Sequence, residues 1–193
     1  MRFSVIVPMH NSAEFCRKLL ESIRQQTFTD YELICVCDAC DDDTLIVASA
    51  YTTNTFKTDF GNDGLARSYG LDKAQGEYII FADDDDWFLH EYVFQQLADK
   101  LEAVGNPDIL RFSLIFKHWK YAKAGDWVAV WSKVWKRESI GATRFPNVVK
   151  TSDSYFHKEM MRKRLNIYDW DMPMYYYNYG RTGAQNERKD LED

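Results

Sequence analysis

No run of apolar residues in this chain reaches the about 18 that a membrane-crossing helix needs, so no spanning segment is expected. Proline is scarce, with 4 in 193 residues, and the 9 glycines do not cluster. Collagen-like, low-complexity and linker-rich organisations are thereby excluded. Pro8-Met9-His10-Asn11, after the first apolar run, contains no glycine, and no P-loop lysine motif occurs. Neither form of phosphate-cradling loop is therefore expected. Positive charge is in deficit, 24 Lys and Arg against 30 Asp and Glu for a net charge of −6. That balance argues against a dedicated nucleic-acid binder, whose affinity comes largely from cations on phosphates. Pro8 interrupts the opening residues too early for a signal peptide. The four cysteines, Cys16, Cys35, Cys37 and Cys40, are accordingly expected as reduced thiols of a cytoplasmic protein.

What is present is a globular pattern, with 46% hydrophobic and 16% aromatic residues. The length fits one domain, residues 1–193. Residues 3–7 form a β-branched run ended by Pro8, a buried strand by pattern. Asn11, three residues before Glu14, resembles a capping box opening a helix with Phe15, Leu19, Leu20 and Ile23 inward. Residues 32–36 are a second strand, 41–44 can cap a short helix, and 55–57 are a weak third strand. Residues 65–74 are a helix ended by Gly76, and 78–82 are the clearest buried strand. This β-α-β-α-β-α-β order predicts an α/β fold, a mainly parallel Rossmann-like sheet flanked by helices. Such sheets bind ligands beyond the carboxyl ends of their strands. Residues 8–11, 38–43 and 83–86 all follow strands and are expected along one rim.

Beyond a helix over residues 90–104, the pattern becomes a smaller mixed α/β region. Residues 109–119 and 127–131 read as strands, 153–164 as a helix and 174–179 as a tyrosine-rich strand. Trp119, Trp127, Trp131 and Trp135 concentrate there, and the charged residues 186–193 read as a frayed tail. Lys117, Lys120, Lys123, Lys133, Lys136 and Arg137 interleave with these tryptophans. They are read as solvated lysines of an amphipathic strand pair, the rival reading being peripheral contact with a membrane surface or an anionic acceptor.

Four aspartates, Asp83 to Asp86, end the clearest strand. Like charges this close repel, and burial raises their pKa values unless a cation neutralises them. Hard divalent cations favour such oxygen ligands, often together with substrate phosphates. The plainer alternative is a solvated acidic turn, with Asp86 capping the next helix. Cys37-Asp38-Ala39-Cys40 is a CxxC, but a redox reading leaves the aspartates unexplained, and zinc lacks an evident fourth ligand. Cys35 and Cys37 are read as strand residues on opposite faces.

Val5-Ile6-Val7-Pro8-Met9-His10-Asn11, Val36-Cys37-Asp38-Ala39-Cys40-Asp41-Asp42, Gly64-Leu65-Ala66-Arg67-Ser68-Tyr69-Gly70 and Ala74-Gln75-Gly76-Glu77-Tyr78-Ile79-Ile80-Phe81-Ala82-Asp83-Asp84-Asp85-Asp86-Trp87 occur in this order. Together they resemble the inverting, non-processive bacterial glycosyltransferases of the family 2 type, which have the GT-A fold. The resemblance implies transfer of a sugar from a nucleotide sugar, a UDP-sugar first, to an acceptor hydroxyl with inversion, assisted by Mn²⁺ or Mg²⁺. It implies nucleotide contacts by Pro8, His10, Asp38, Arg67, Asp83 and Asp84. In it Asp38 reads the uracil N3–H, and Asp83 and Asp85 are the two ends of a DxD motif that binds the metal on the diphosphate. It further implies a nucleotide-sugar part, residues 1–107, and an acceptor-side part, residues 108–193. His10 replaces the family's usual tyrosine, and Cys37 and Cys40 replace an acidic residue and a serine. Thr151-Ser152-Asp153 keeps only the aspartate of the family's Glu-Asp pair. Asp153 is therefore the candidate general base, with a helix N-cap as its plainer role and Asp169 and Asp171 next in line. The acceptor class implied is a carbohydrate, a lipid-linked molecule or a protein, at a cytoplasmic site or the inner face of the membrane. The alternative is a nucleotide-sugar-binding or scaffolding relative without catalysis.

Overall fold

The structure, a computed structural model, describes residues 1–116, 120–148 and 151–178. Strands β1 (Phe3–Met9), β2 (Tyr31–Asp38), β3 (Thr55–Thr58) and β4 (Tyr78–Phe81) are connected by helices α1 (Arg17–Arg24), α2 (Thr44–Ser49) and α3 (Asp63–Lys73). They lie in the order β3-β2-β1-β4, all parallel. After β5 (Trp87–Phe88) and α4 (Val93–Ala103) come β6 (Ile109–Phe116), β7 (Lys120–Ala122), β8 (Lys133–Lys136), α5 (Arg137–Ile140), α6 (Ser152–Met161) and β9 (Ile167–Tyr177). The later strands extend the same sheet as β4-β8-β6-β9-β5, with β7 on β6. β8 runs antiparallel to β4 and β6, whereas β9 is parallel to β6. The parallel half is thus continued by a mixed half without a break in the ladder.

Alternation along β1 explains the layers. Phe3, Val5, Val7 and Met9 pack with Leu19, Leu20, Ile23, Phe94 and Leu97 of α1 and α4. Ile6 points the other way, toward Ala66, Leu71, Phe156 and Met160 of α3 and α6. A period of two on a strand covered on both faces calls for burial at every position, as seen in this strand, where the one polar residue, Ser4, donates its hydroxyl to Glu32 at 2.6 Å. Pairing of β1 with β4 ends at Ile6, so the N–H that Pro8 lacks falls outside that ladder. Among the described residues, no helix is long and apolar enough to cross a membrane.

Several local expectations are corrected. The capping box fails: α1 starts at Arg17 with Cys16 as an N-cap that makes no side-chain cap bond. Asn11 instead takes a left-handed φ of 47° and accepts a hydrogen bond from the Asp41 N–H. Helix α3 begins earlier than expected because Asn62 caps it, accepting from Leu65 N–H at 3.0 Å. Residues 127–131 form no strand; they lead into a 3-10 turn, Val130–Ser132. Their carbonyls turn inward to Lys133 Nζ, at 2.7 Å for Trp127 and 2.6 Å for Ala129, instead of joining a ladder. Lys133 is therefore buried, not solvated. Cys35 and Cys37 share one face and one core layer, as positions two apart on a strand must. Lys117, Trp119, Tyr179 and the expected tail of residues 186–193 lie outside the described residues.

Two glycines let helices approach closely. A β-carbon on Gly70 of α3 would collide with Ile6 Cγ2 of β1, and one on Gly64 would lie 2.8 Å from Ser152 Cβ of α6. Gly70→Ala is expected to destabilise the fold by about 1–3 kcal/mol through overpacking. Urea unfolding measures it, and an unchanged midpoint would mean that α3 does not sit this close to β1.

Candidate active site

The three strand-end segments meet. His10 N–H donates to Asp84 Oδ2 at 3.3 Å, and His10 Nδ1 lies 2.8 Å from the Asp38 carbonyl, which fixes it as the donor. Ala13 N–H donates to Asp42 Oδ2 at 3.1 Å, and Ser12 N–H donates to Thr44 Oγ1 at 2.7 Å. Residues 8–13, 38–44 and 83–86 therefore form one continuous rim at the carboxyl edge of β1, β2 and β4. Pro8 is buried within β1 and shapes the turn to His10, whose side chain is exposed. Ala39 holds a left-handed φ of 50°.

Asp38 is 4% exposed and holds the chain after β3. Its carboxylate accepts from Thr58 Oγ1 at 2.9 Å, Phe60 N–H at 2.6 Å and Asn62 N–H at 2.8 Å. A carboxylate offers about four acceptor positions, and these bonds use three of them.

Arg67, on α3, is 4% exposed and gathers three carboxylates. Its guanidinium lies 2.5 Å from Asp63, 2.6 Å from Asp83 and 3.4 Å from Asp153. These neighbours hold it firmly protonated against its burial. Asp153 sits in the first turn of α6, behind Thr151 with its left-handed φ of 65°. It does not cap that helix: Oδ1 faces Arg67, and Oδ2 accepts from Val130 N–H at 3.3 Å. The N-cap role is thereby set aside.

The aspartate turn is fixed from both sides. Asp83 N–H donates to Tyr175 Oη at 3.0 Å, and fully buried Asp86 accepts from Asn178 N–H at 2.8 Å. Asp86 precedes α4 by several residues and is not its cap. Trp87 stacks on Tyr176 at 4.0 Å between ring centres, with Lys18 Nζ 2.9 Å from the Trp87 centroid. Burial pushes Asp83 up to about 6 despite Arg67, with Asp153 and Asp85 adding to the rise. Asp84 is raised to about 7 by burial, then Asp85, and Asp86 is raised well above the carboxylate range by burial, then Asp83.

One guanidinium thus stands against Asp63, Asp83 and Asp153, with Asp84, Asp85 and Asp86 beside it. This surplus of half-buried negative charge fits a divalent cation. Among the described residues no three His, Cys, Asp or Glu side chains form a ready-made metal cage.

Sequence reasoning missed Asp63 and Tyr175. The i,i+4 spacing of Asp63 and Arg67 on a helix could have found the first; nothing local marks Tyr175 among its neighbours. Asp169 pairs with Arg111 at 2.5 Å, and Asp171 accepts from Ser113 at 2.7 Å, so both are engaged away from Arg67. Cys16, Cys35 and Cys37 are buried and Cys40 half-buried. Burial first raises all four, to about 11 for Cys16 and about 12 for Cys37. Thiols so raised lack the thiolate that redox chemistry requires.

A doubly wound sheet with helices on both faces and an acidic turn at its carboxyl edge is the GT-A architecture of glycosyltransferases. The chain belongs to glycosyl transferase family 2, whose family model matches residues 4–165. It is similar to poly(ribitol-phosphate) β-N-acetylglucosaminyltransferase TarS of Staphylococcus aureus strain Mu50, 35% identical over 99 residues, which are 47% of this chain and 17% of TarS. It is also similar to the glycosyltransferase YibD of Escherichia coli K12, 27% identical over 177 residues, 72% of this chain and 49% of YibD. The chain therefore spans less than half the length of these two relatives. In fold it matches S. aureus TarS 1–349 in complex with UDP at a TM-score of 0.80 and 22% identity, covering 92% of this chain and 60% of that one. It matches the mannosyltransferase PcManGT of Pyrobaculum calidifontis, in complex with GDP-Man and Mn²⁺, at 0.72 and 17%, covering 94% and 58%.

The raised carboxylates link stability to pH in the metal-free protein. An unfolded aspartate has the ordinary value of 3.8, against about 6 and about 7 for folded Asp83 and Asp84. Between these values the native chain binds more protons, so stability falls as pH rises through the window from about 4 to about 7. His157, lowered to about 4 by burial and then Lys133, opposes this as a single group. With a chelator present, melting temperature is expected to be higher near about pH 5 than about pH 7.5. Asp84→Asn, which cannot ionise, should reduce the difference; a flat wild-type profile would mean that these carboxylates are solvated.

Proposed function

We propose that this chain transfers a sugar from a nucleotide-sugar donor, of the UDP-sugar class, to an acceptor hydroxyl with inversion at the anomeric carbon. The observation that carries the reading is the joint grip of Arg67 on Asp83 and Asp153. A diphosphate-side carboxylate and a carboxylate suited to proton removal thereby stand on one guanidinium. The complexes of TarS with UDP and with UDP-GlcNAc support the choice of donor class.

Asp85 and Asp83 would hold Mn²⁺ or Mg²⁺, which when bound supplies positive charge to the diphosphate leaving group. The exposed His10 ring offers a face to the base, and the remaining acceptor position of Asp38 meets the uracil N3–H. Asp153 takes the proton of the acceptor hydroxyl, whose oxygen bonds to the anomeric carbon as the bond to the diphosphate breaks. Attack opposite the leaving group inverts the centre. Arg67 holds Asp153 in orientation until it receives the proton. Residues 1–107 serve the donor and 108–193 the acceptor within one domain. The acceptor is a carbohydrate, lipid-linked molecule or protein, at a cytoplasmic site or the inner face of the membrane.

With Mn²⁺ present, UDP at about 100 times its dissociation constant should stabilise the protein by about 2.7 kcal/mol. Asp85→Ala should remove the metal-dependent part of that stabilisation; equal UDP binding with chelator and with metal would sink the DxD assignment. Asp153→Asn should leave UDP binding unchanged and lower turnover by about 10²- to 10⁴-fold, the usual worth of a positioned base. Wild-type protein that binds UDP and metal but neither transfers nor hydrolyses any nucleotide sugar in a screen would favour the binding relative over the enzyme.

A further inference from the structure

Lys133 opens β8 with its side chain fully buried. Its Nζ donates to the Trp127 carbonyl at 2.7 Å, the Ala129 carbonyl at 2.6 Å and Ser132 Oγ at 3.1 Å. Three acceptors match the three donors of an ammonium, so the pocket is shaped for the charged form. Burial pulls the group down to about 7, as does Arg111, while Asp153 and Asp169 pull it up. Ser132 Oγ also donates to the Ala129 carbonyl, at 3.1 Å, so two donors converge on that one oxygen. The next carbonyl, Val130, accepts from Trp135 Nε1 at 3.0 Å. Side chains of β8 and the preceding turn thus fix two successive peptide planes.

The first of those planes matters most. Ala129 C=O and Val130 N–H belong to the same peptide unit, which is trans and planar, so they point in opposite directions. The oxygen is aimed at Lys133; the hydrogen is aimed at Asp153 Oδ2, 3.3 Å from the nitrogen. Arg67 faces the other oxygen of Asp153. A cation on the carbonyl also polarises the peptide and makes its N–H a better donor.

Resting on the reading of Asp153 as the base, we propose that Lys133 is a positioning residue that orients Asp153 through the Ala129–Val130 peptide. Lys133 touches no substrate; it sets the angle at which the carboxylate meets the acceptor hydroxyl. A lysine that only filled this pocket would leave Val130 and Asp153 indifferent to its loss.

Lys133→Met keeps the stem and volume while removing the ammonium. The Val130 amide resonance is recorded in wild type, Asp153→Asn, Lys133→Met and the double variant. Asp153→Asn should move that resonance in the wild-type background, because an amide oxygen accepts more weakly than a carboxylate. The response should vanish in the Lys133→Met background. Hydrolysis of UDP-GlcNAc with Mn²⁺ should fall by up to about 10²-fold in kcat, the cost of a misplaced group, with KM unchanged. An equal Val130 response in both backgrounds would overturn the proposal. Should Lys133→Met not fold, Ser132→Ala removes one of the two donors on the Ala129 oxygen. It should weaken the same response, and an undiminished response there overturns the proposal equally. Full turnover by Asp153→Asn sinks the base reading and the catalytic part of this proposal with it. An inactive Asp153→Asn beside a fully active Lys133→Met sinks this proposal alone.

Discussion

One buried guanidinium holds the site in register. Arg67 reaches Asp63 on its own helix, Asp83 beyond β4 and Asp153 on α6, three parts of the chain brought together by charge. Its underside rests on aromatic packing, 5.8 Å from the Phe145 ring, which in turn stacks on Phe156 at 4.2 Å. Such a buried cluster is weak evidence for stability, since desolvating the charges offsets much of their attraction. Removing one member is another matter, because an unpaired buried charge costs about 3–5 kcal/mol. The cluster is therefore best understood as a device that fixes geometry.

The rest of the site depends on it. The close approach of α3 to β1 at Gly70 and to α6 at Gly64 brings the arginine within reach of both carboxylates. Asp153 then needs only a second anchor, which Val130 N–H provides from the opposite side. The rim at the carboxyl edge and helix α6 meet through Arg67 and Asp153, although they lie in separate halves of the sequence.

The parallel half of the fold was legible because buried strands and amphipathic helices leave strong periodicities. The rim followed from topology: once residues 3–7, 32–36 and 78–82 were strands of one parallel sheet, their carboxyl ends had to align. The Arg67–Asp153 contact could not be read locally, since 86 positions separate its partners. Lys133 was misread for a related reason. Alternation of lysine with tryptophan describes a solvated face unless the chain folds back, and here the carbonyls of Trp127 and Ala129 enclose the ammonium. The expected strand at residues 127–131 failed with it, because carbonyls committed to a side chain cannot pair with a neighbouring strand. Asn11 misled through chemistry that suits caps and left-handed turns equally.

The clamped aspartate turn bears on how a ligand arrives. Tyr175 and Asn178 bind its backbone and side chains, and Trp87 lies between Tyr176 and the Lys18 ammonium. A segment ordered in this way gives up its conformational freedom during folding, so under the proposed function capture of a nucleotide would carry little further ordering entropy at this turn. Encounter is then governed by diffusion and orientation, not by waiting for the turn to assemble. Differences in affinity among nucleotides should appear chiefly in how long each remains bound.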